Sequence, residues 1–169
     1  VYGNVVTVDR GSTPVPVGIS ATFISAQTAV TEGPSSNDDL GTFKIQYAIK
    51  AVGGTIYISP NADAQLSGST IGKTTVWPDR AGTPFVGGTS VSLSNLNQTL
   101  TNGLYKLNAG EENTFDVLTT VQLPAAGVAG QYRVRLGGIR WGTNPNDLTP
   151  DNLYKPNVDQ FKTNYIALN

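Results

Sequence analysis

The 169-residue chain contains no histidine, no cysteine and no methionine. The commonest general base at neutral pH is therefore missing, as are the most reactive nucleophile and the thiolate and imidazole metal ligands. Catalysis would have to rest on carboxylates, lysine, tyrosine or unassisted hydroxyls, so the chain reads as scaffold before enzyme, with no cofactor expected. Charge is scarce as well: 14% of residues are charged and the net charge is −1. Basic residues are scattered apart from Arg133, Arg135 and Arg140, which leaves no stripe for a phosphate backbone and argues against nucleic acid as a partner. No apolar run approaches the roughly 18 to 20 residues of a spanning helix, so the chain is not expected to cross a membrane. It opens on Val1 rather than Met, which predicts a processed product or an excised domain.

What is present is alternation. In Thr42 to Val52, Phe43, Ile45, Tyr47 and Ile49 share one parity and Lys44, Gln46 and Lys50 the other, the period-2 signature of a half-buried strand. Thr114 to Leu123 repeats it with Phe115, Val117, Val121 and Leu123, and Gln131 to Ile139 sets Tyr132, Val134 and Leu136 opposite Arg133 and Arg135. Shorter candidates are Val1–Val8, Val17–Ser25, Thr55–Ser59, Thr74–Trp77, Thr89–Leu93, Leu104–Leu107 and Gln160–Leu168. Between them stand breakers such as Gly53-Gly54, Pro78-Asp79, Asn102-Gly103, Gly137-Gly138 and Asn144-Pro145-Asn146-Asp147. Nothing reads as a helix. About ten closely spaced strands predict an all-β fold: a single two-sheet antiparallel β-sandwich over residues 1–169, immunoglobulin-like or jelly-roll in topology.

The stretch Leu123 to Leu136, LPAAGVAGQYRVRL, resembles the corner between strands E and F of immunoglobulin-like sandwiches, with Val134 where an antibody domain carries its second cysteine. That resemblance implies a Tyr132 hydroxyl bonded back to the upstream backbone. A second resemblance is to β-sandwich domains of bacterial cell-surface proteins and pilus-like filament subunits. It is carried by Gly41 to Ser59, Thr114 to Trp141 and Phe161 to Asn169, and it implies display or assembly outside the cell. The low charge and abundance of Thr, Ser, Asn and Gly point the same way, to an extracellular or cell-surface location.

Both ends are strand-like. The segment VYGNVVTV either forms the first strand of a closed monomer or pairs with a neighbouring subunit, residues 1–16 then acting as a donor arm with Val15-Pro16-Val17 as its stiff exit. In the second case Val1, Tyr2, Val5, Val6 and Val8 form the subunit interface, and the function is that of a structural subunit polymerising by strand complementation. The alternative is a carbohydrate-binding or adhesive module, with surface glycans as partners and an aromatic platform of Trp77 and Trp141 joined by Tyr154 or Tyr105. Capsid decoration is a third option.

Other chemistry is thin. Glu111 with Glu112, Asp38 with Asp39, and Asp147 with Asp151 fall in expected loops, where solvated acids are ordinary and glycosidase pairs are not expected. Asp147 and Asp151 are the calcium candidates, with turn formation the stronger reading of that Asx-rich loop. Asn97-Gln98-Thr99 is a glycosylation sequon, so Asn97 is a modification candidate. Lys44 with Asn164 is a conceivable isopeptide pair.

Overall fold

A computed structural model of the chain describes residues 14–35, 38–66, 71–124 and 128–169. The described residues form eleven strands in two sheets and contain no helix, so none is long and apolar enough to cross a membrane. The first sheet consists of β1 (Gly18–Thr31), β2 (Leu40–Val52), β6 (Gly88–Asn95) and β8 (Glu112–Gln122), in the order β1-β2-β8-β6, every pair antiparallel. The second gathers β3 (Ile56–Ile58), β4 (Ala62–Ala64), β5 (Thr74–Arg80), β7 (Tyr105–Leu107), β9 (Gly130–Gly142), β10 (Asn152–Tyr154) and β11 (Ile166–Leu168) around β9. This sheet is mixed: β4 runs parallel to β5, which corrects the wholly antiparallel expectation.

The alternation read from the sequence builds the core. Phe43, Ile45, Tyr47 and Ile49 of β2 are fully buried, as are Phe115 and Val121 of β8 and Tyr132, Val134 and Leu136 of β9. Aromatic rings link the layers: Tyr47 stacks on Phe115 at 6.1 Å and meets Phe161 edge-on at 6.4 Å, while Tyr105 meets Phe115 at 5.6 Å. Such offset and edge-to-face pairs match the ring quadrupoles and add to the area they bury. The Tyr132 hydroxyl donates to the Val128 carbonyl at 3.0 Å, the bond implied by the corner motif.

Several boundaries differ from expectation. The predicted Val17–Ser25 strand continues as β1 to Thr31; a bulge at Ile24 shifts the register between Phe23 and Ser25 and breaks the period-2 pattern there, which hid the second half. Gly137-Gly138 is not a turn: β9 runs through it to Gly142, and a second register shift pairs Thr75 with Gly138 but Val76 with Leu136. Pro78 does not end β5 either. Val76 accepts a bond from Gln65 N on the β4 side, so by alternation Pro78 turns its missing N–H to that side, beyond the end of β4. The predicted Gln160–Leu168 strand contracts to β11, although Phe161 and Thr163 still bond the backbone of β9.

Candidate functional site

Two features stand out: the outward face of β5 and β9, and the free edge of β1. On β5, Trp77 and Asp79 are two residues apart and share a face, and their register partners on β9 are Arg135 and Arg133. Arg133 Nε and Arg135 Nη2 donate to one oxygen of Asp79 at 2.9 and 3.2 Å, and the Tyr165 hydroxyl donates to the same atom at 3.0 Å. The Arg133 guanidinium also lies 4.4 Å from the centre of the Tyr165 ring. Burial alone would raise the Asp79 carboxyl, but the bonds from Tyr165 and Arg133 and the charges of Arg135 and Arg133 outweigh it and hold the group below the usual carboxylate range. Burial and the Asp79 carboxylate push the Tyr165 phenol up.

Beside this cluster lies a cavity of about 460 Å³, with Trp77, Gly137, Arg140, Leu153 and Lys155 in its lining. The glycines of β9 let two of the lining side chains, Trp77 and Leu153, pack directly on the strand. A Cβ on Gly137 would stand 2.6 Å from Trp77 Nε1, and one on Gly138 would stand 2.5 Å from Leu153 Cδ1. The indole N–H of Trp77 donates to Gln65 Oε1 at 2.7 Å, which fixes the ring over Gly137 while leaving it 37% exposed. Arg140 Nη1 donates to the Asp151 carbonyl at 2.8 Å. Neither Arg140 nor Lys155 has a carboxylate partner among the described residues, and no acidic side chain lines the cavity.

Among the described residues the outer strands of the first sheet are β1 and β6, and β1 is the longer. Among the described residues its one ladder partner is β2, so fourteen residues present an unpaired side, GISATFISAQTAVT, without a charge or a proline. Val15, Val17, Ile24 and Val30 are exposed along it and its approach.

The residues singled out by sequence are distributed as follows. Val1, Tyr2, Val5, Val6 and Val8 lie outside the described residues. Trp77 lines the cavity, whereas Trp141 and Tyr154 are partly buried against the core and Tyr105 is buried within it. Asp147 caps its own loop, accepting from Thr149 N at 2.9 Å, and Asp151 engages Arg140 through its carbonyl; no group of three or more potential metal-binding side chains occurs among the described residues. Asn97 is exposed just after β6. Lys44 forms an ion pair with Asp116 at 2.6 Å, and Asn164 is exposed.

Two acids expected to be solvated are structural instead. Asp39 is buried and accepts from Asn169 N at 2.8 Å and Gly33 N at 3.3 Å. Glu111 accepts from the Asn108 backbone N–H, and from the Asn113, Asn108 and Gln98 side chains; the backbone bond, opposed by burial and aided by the side-chain donors, holds its carboxyl below the usual range.

Sequence reading missed Gln65, Asp79, Arg140 and Lys155 as site residues. The parity of Trp77 with Asp79, and of Arg133 with Arg135, carried the signal for the shared face; the closeness of Lys155 and Gln65 is set by tertiary structure alone. No family model, no curated protein and no solved structure matches the chain.

Proposed function

We propose that this protein is a structural subunit of an extracellular filament or surface assembly, built on an immunoglobulin-like sandwich and polymerising when one copy adds a strand to the next. The topology is supported by the first sheet, whose order β1-β2-β8-β6 parallels the A-B-E-D order of immunoglobulin domains, and by the Tyr132 hydroxyl bond at the start of β9.

The observation that carries the assembly reading is the β1 edge. Long flat edges template pairing with another chain, and proteins that remain monomeric usually blunt them with lysine, proline or a cover. Here the single blunting device among the described residues is the Ile24 bulge. Beyond it Ser25–Thr31 runs seven residues in unbroken register with β2. The occupant we assign is the N-terminal segment of a neighbouring copy. Val1–Val8 is an uncharged run with valine at positions 1, 5, 6 and 8, and at about 3.3 Å per residue it matches the Ser25–Thr31 stretch in length. Backbone donors and acceptors would supply the affinity and the valines the specificity. The role is structural rather than catalytic, and the low charge of the chain supports an extracellular setting.

The test is the assembly state of the full chain by sizing and negative-stain imaging, beside a variant lacking residues 1–13 and the double variant Ile24→Lys/Val30→Lys. Fibres from the full chain, with folded monomers from both variants, are expected. A full chain that stays monomeric at high concentration, or a truncation that still forms fibres, overturns the proposal.

A further inference from the structure

The cavity beside Trp77 is independent of the assembly reading and carries its own inference. Its wall combines four features: an indole locked by Gln65 and partly open to solvent, apolar surface from Leu153, two cations without a counter-charge, and no acid. A neutral ligand would leave the two cations unmatched, and a small inorganic anion would leave the indole and Leu153 uncovered. Its volume of about 460 Å³ falls in the range of small-ligand sites, roughly 300 to 1,000 Å³.

We infer that this cavity binds an acidic sugar, a pyranose bearing a ring carboxylate, with the sugar's C–H face against Trp77 and its carboxylate between Arg140 and Lys155. The C–H face of the pyranose chair and its hydroxyls suit what surrounds the cations. An indole face offers an apolar platform to axial C–H groups, and the Gln65 amide and Thr75 hydroxyl flank it with polar atoms. The carboxylate supplies the missing counter-charge, and a charge-assisted bond to a guanidinium is roughly twice as strong as a neutral one. The glycines of β9 then have a binding role, since a side chain at Gly137 would move the indole.

The test uses trigalacturonate as the probe, titrated into the full-length protein and followed through the two tryptophan indole N–H signals, with Trp77→Phe to assign them. Its methyl ester, triglutamate and acetate serve as comparisons. The Trp77 signal should shift and that of Trp141, outside the cavity lining, should stay. The methyl ester should bind about tenfold more weakly, equivalent to about 1.4 kcal/mol, and triglutamate and acetate more weakly still. Trp77→Ala should abolish binding and Lys155→Gln, at an exposed rim position, should weaken it several-fold without altering the fold; Arg140→Gln should do the same if it folds. No shift at millimolar trigalacturonate overturns the inference, as does equal binding of the ester. Equal binding of triglutamate or acetate would make the cavity a carboxylate site for peptides or small anions and overturn the sugar assignment.

Discussion

The two sheets solve different problems with the same kinds of residue. The first has strands of 14, 13, 11 and 8 residues, all antiparallel, with one bulge in the β1–β2 ladder. In the second, five of the seven strands are three residues long, one pair is parallel, and the central strand is bulged around Gly137. Regular pairing buries one face and leaves long edges. Interrupted pairing leaves concavity, and Trp77 of β5, Arg140 of β9 and Lys155 just after β10 line the cavity of this sheet. Irregularity in the second sheet is thus what makes a cavity, and regularity in the first is what makes an edge.

The largest expected effect sharpens this contrast at the layer the sheets share. Phe115 is fully buried on β8 and touches Tyr47 and Tyr105, so Phe115→Ala leaves a void between the layers that those rings cannot readily fill. A loss of about 3 to 5 kcal/mol in urea unfolding is expected, with the cavity and the edge lost together. A loss below about 1 kcal/mol would mean that the layers do not depend on this ring stack.

A matched glycine pair tests the sheets separately. Gly137→Ala in β9 puts a methyl 2.6 Å from Trp77 Nε1, whereas Gly18→Ala in β1 meets nothing within 4 Å. Neither glycine has a positive φ. The first change should cost about 1 to 3 kcal/mol, break the Trp77–Gln65 bond and shift the Trp77 indole signal, as overpacking against a rigid ring does. The second should be neutral or stabilise by up to about 1 kcal/mol by restricting the unfolded chain. Equal effects at the two sites would erase the distinction drawn between the sheets.

The same distinction governs what the sequence disclosed. β2, β8 and the first half of β9 alternate large apolar with polar residues, so their buried faces were legible residue by residue. β4 and β10 are three residues long, too short for a period to show, and the second half of β1 carries Ala26 and Ala29 after a bulge that inverts parity. Gly137-Gly138 and Pro78 have the composition of turns; what keeps them in strands is the Trp77 ring, the Leu153 side chain and an unpaired flank, none of which local sequence reports. Of the candidate cavity, Trp77 was legible, and the convergence of residues 65, 77, 140 and 155 was not.

Acid titration gives a smaller effect that belongs to the second sheet. Asp79 is held below the usual carboxylate range, so it binds fewer protons when folded than when unfolded near pH 4. Its contribution is complete above the unfolded value of about 3.9 and fades as pH falls through the lower folded value. The melting-temperature gap between the parent and Asp79→Asn should therefore be constant from neutral pH down to about pH 5 and close below about pH 4. A gap that persists unchanged at the acid limit would place the loss in packing rather than in the charge.

The smallest effect, with the opposite sign, lies in the first sheet. Tyr47 is fully buried on β2 and its hydroxyl has no hydrogen-bond partner, so the regular sheet carries an unsatisfied polar atom at its centre. Burial, aided by the Asp116 charge, pushes this phenol far above its ordinary value. Removing an unpaired hydroxyl relieves its desolvation while keeping the ring stack, so Tyr47→Phe should leave the fold intact and raise stability by about 1 kcal/mol. In an alkaline spectrophotometric titration the parent should show one more phenol that ionises only as the chain unfolds than the variant does. A loss of more than about 1 kcal/mol would show the hydroxyl to be bonded, for instance to a buried water, and the first sheet would then hold a polar site of its own.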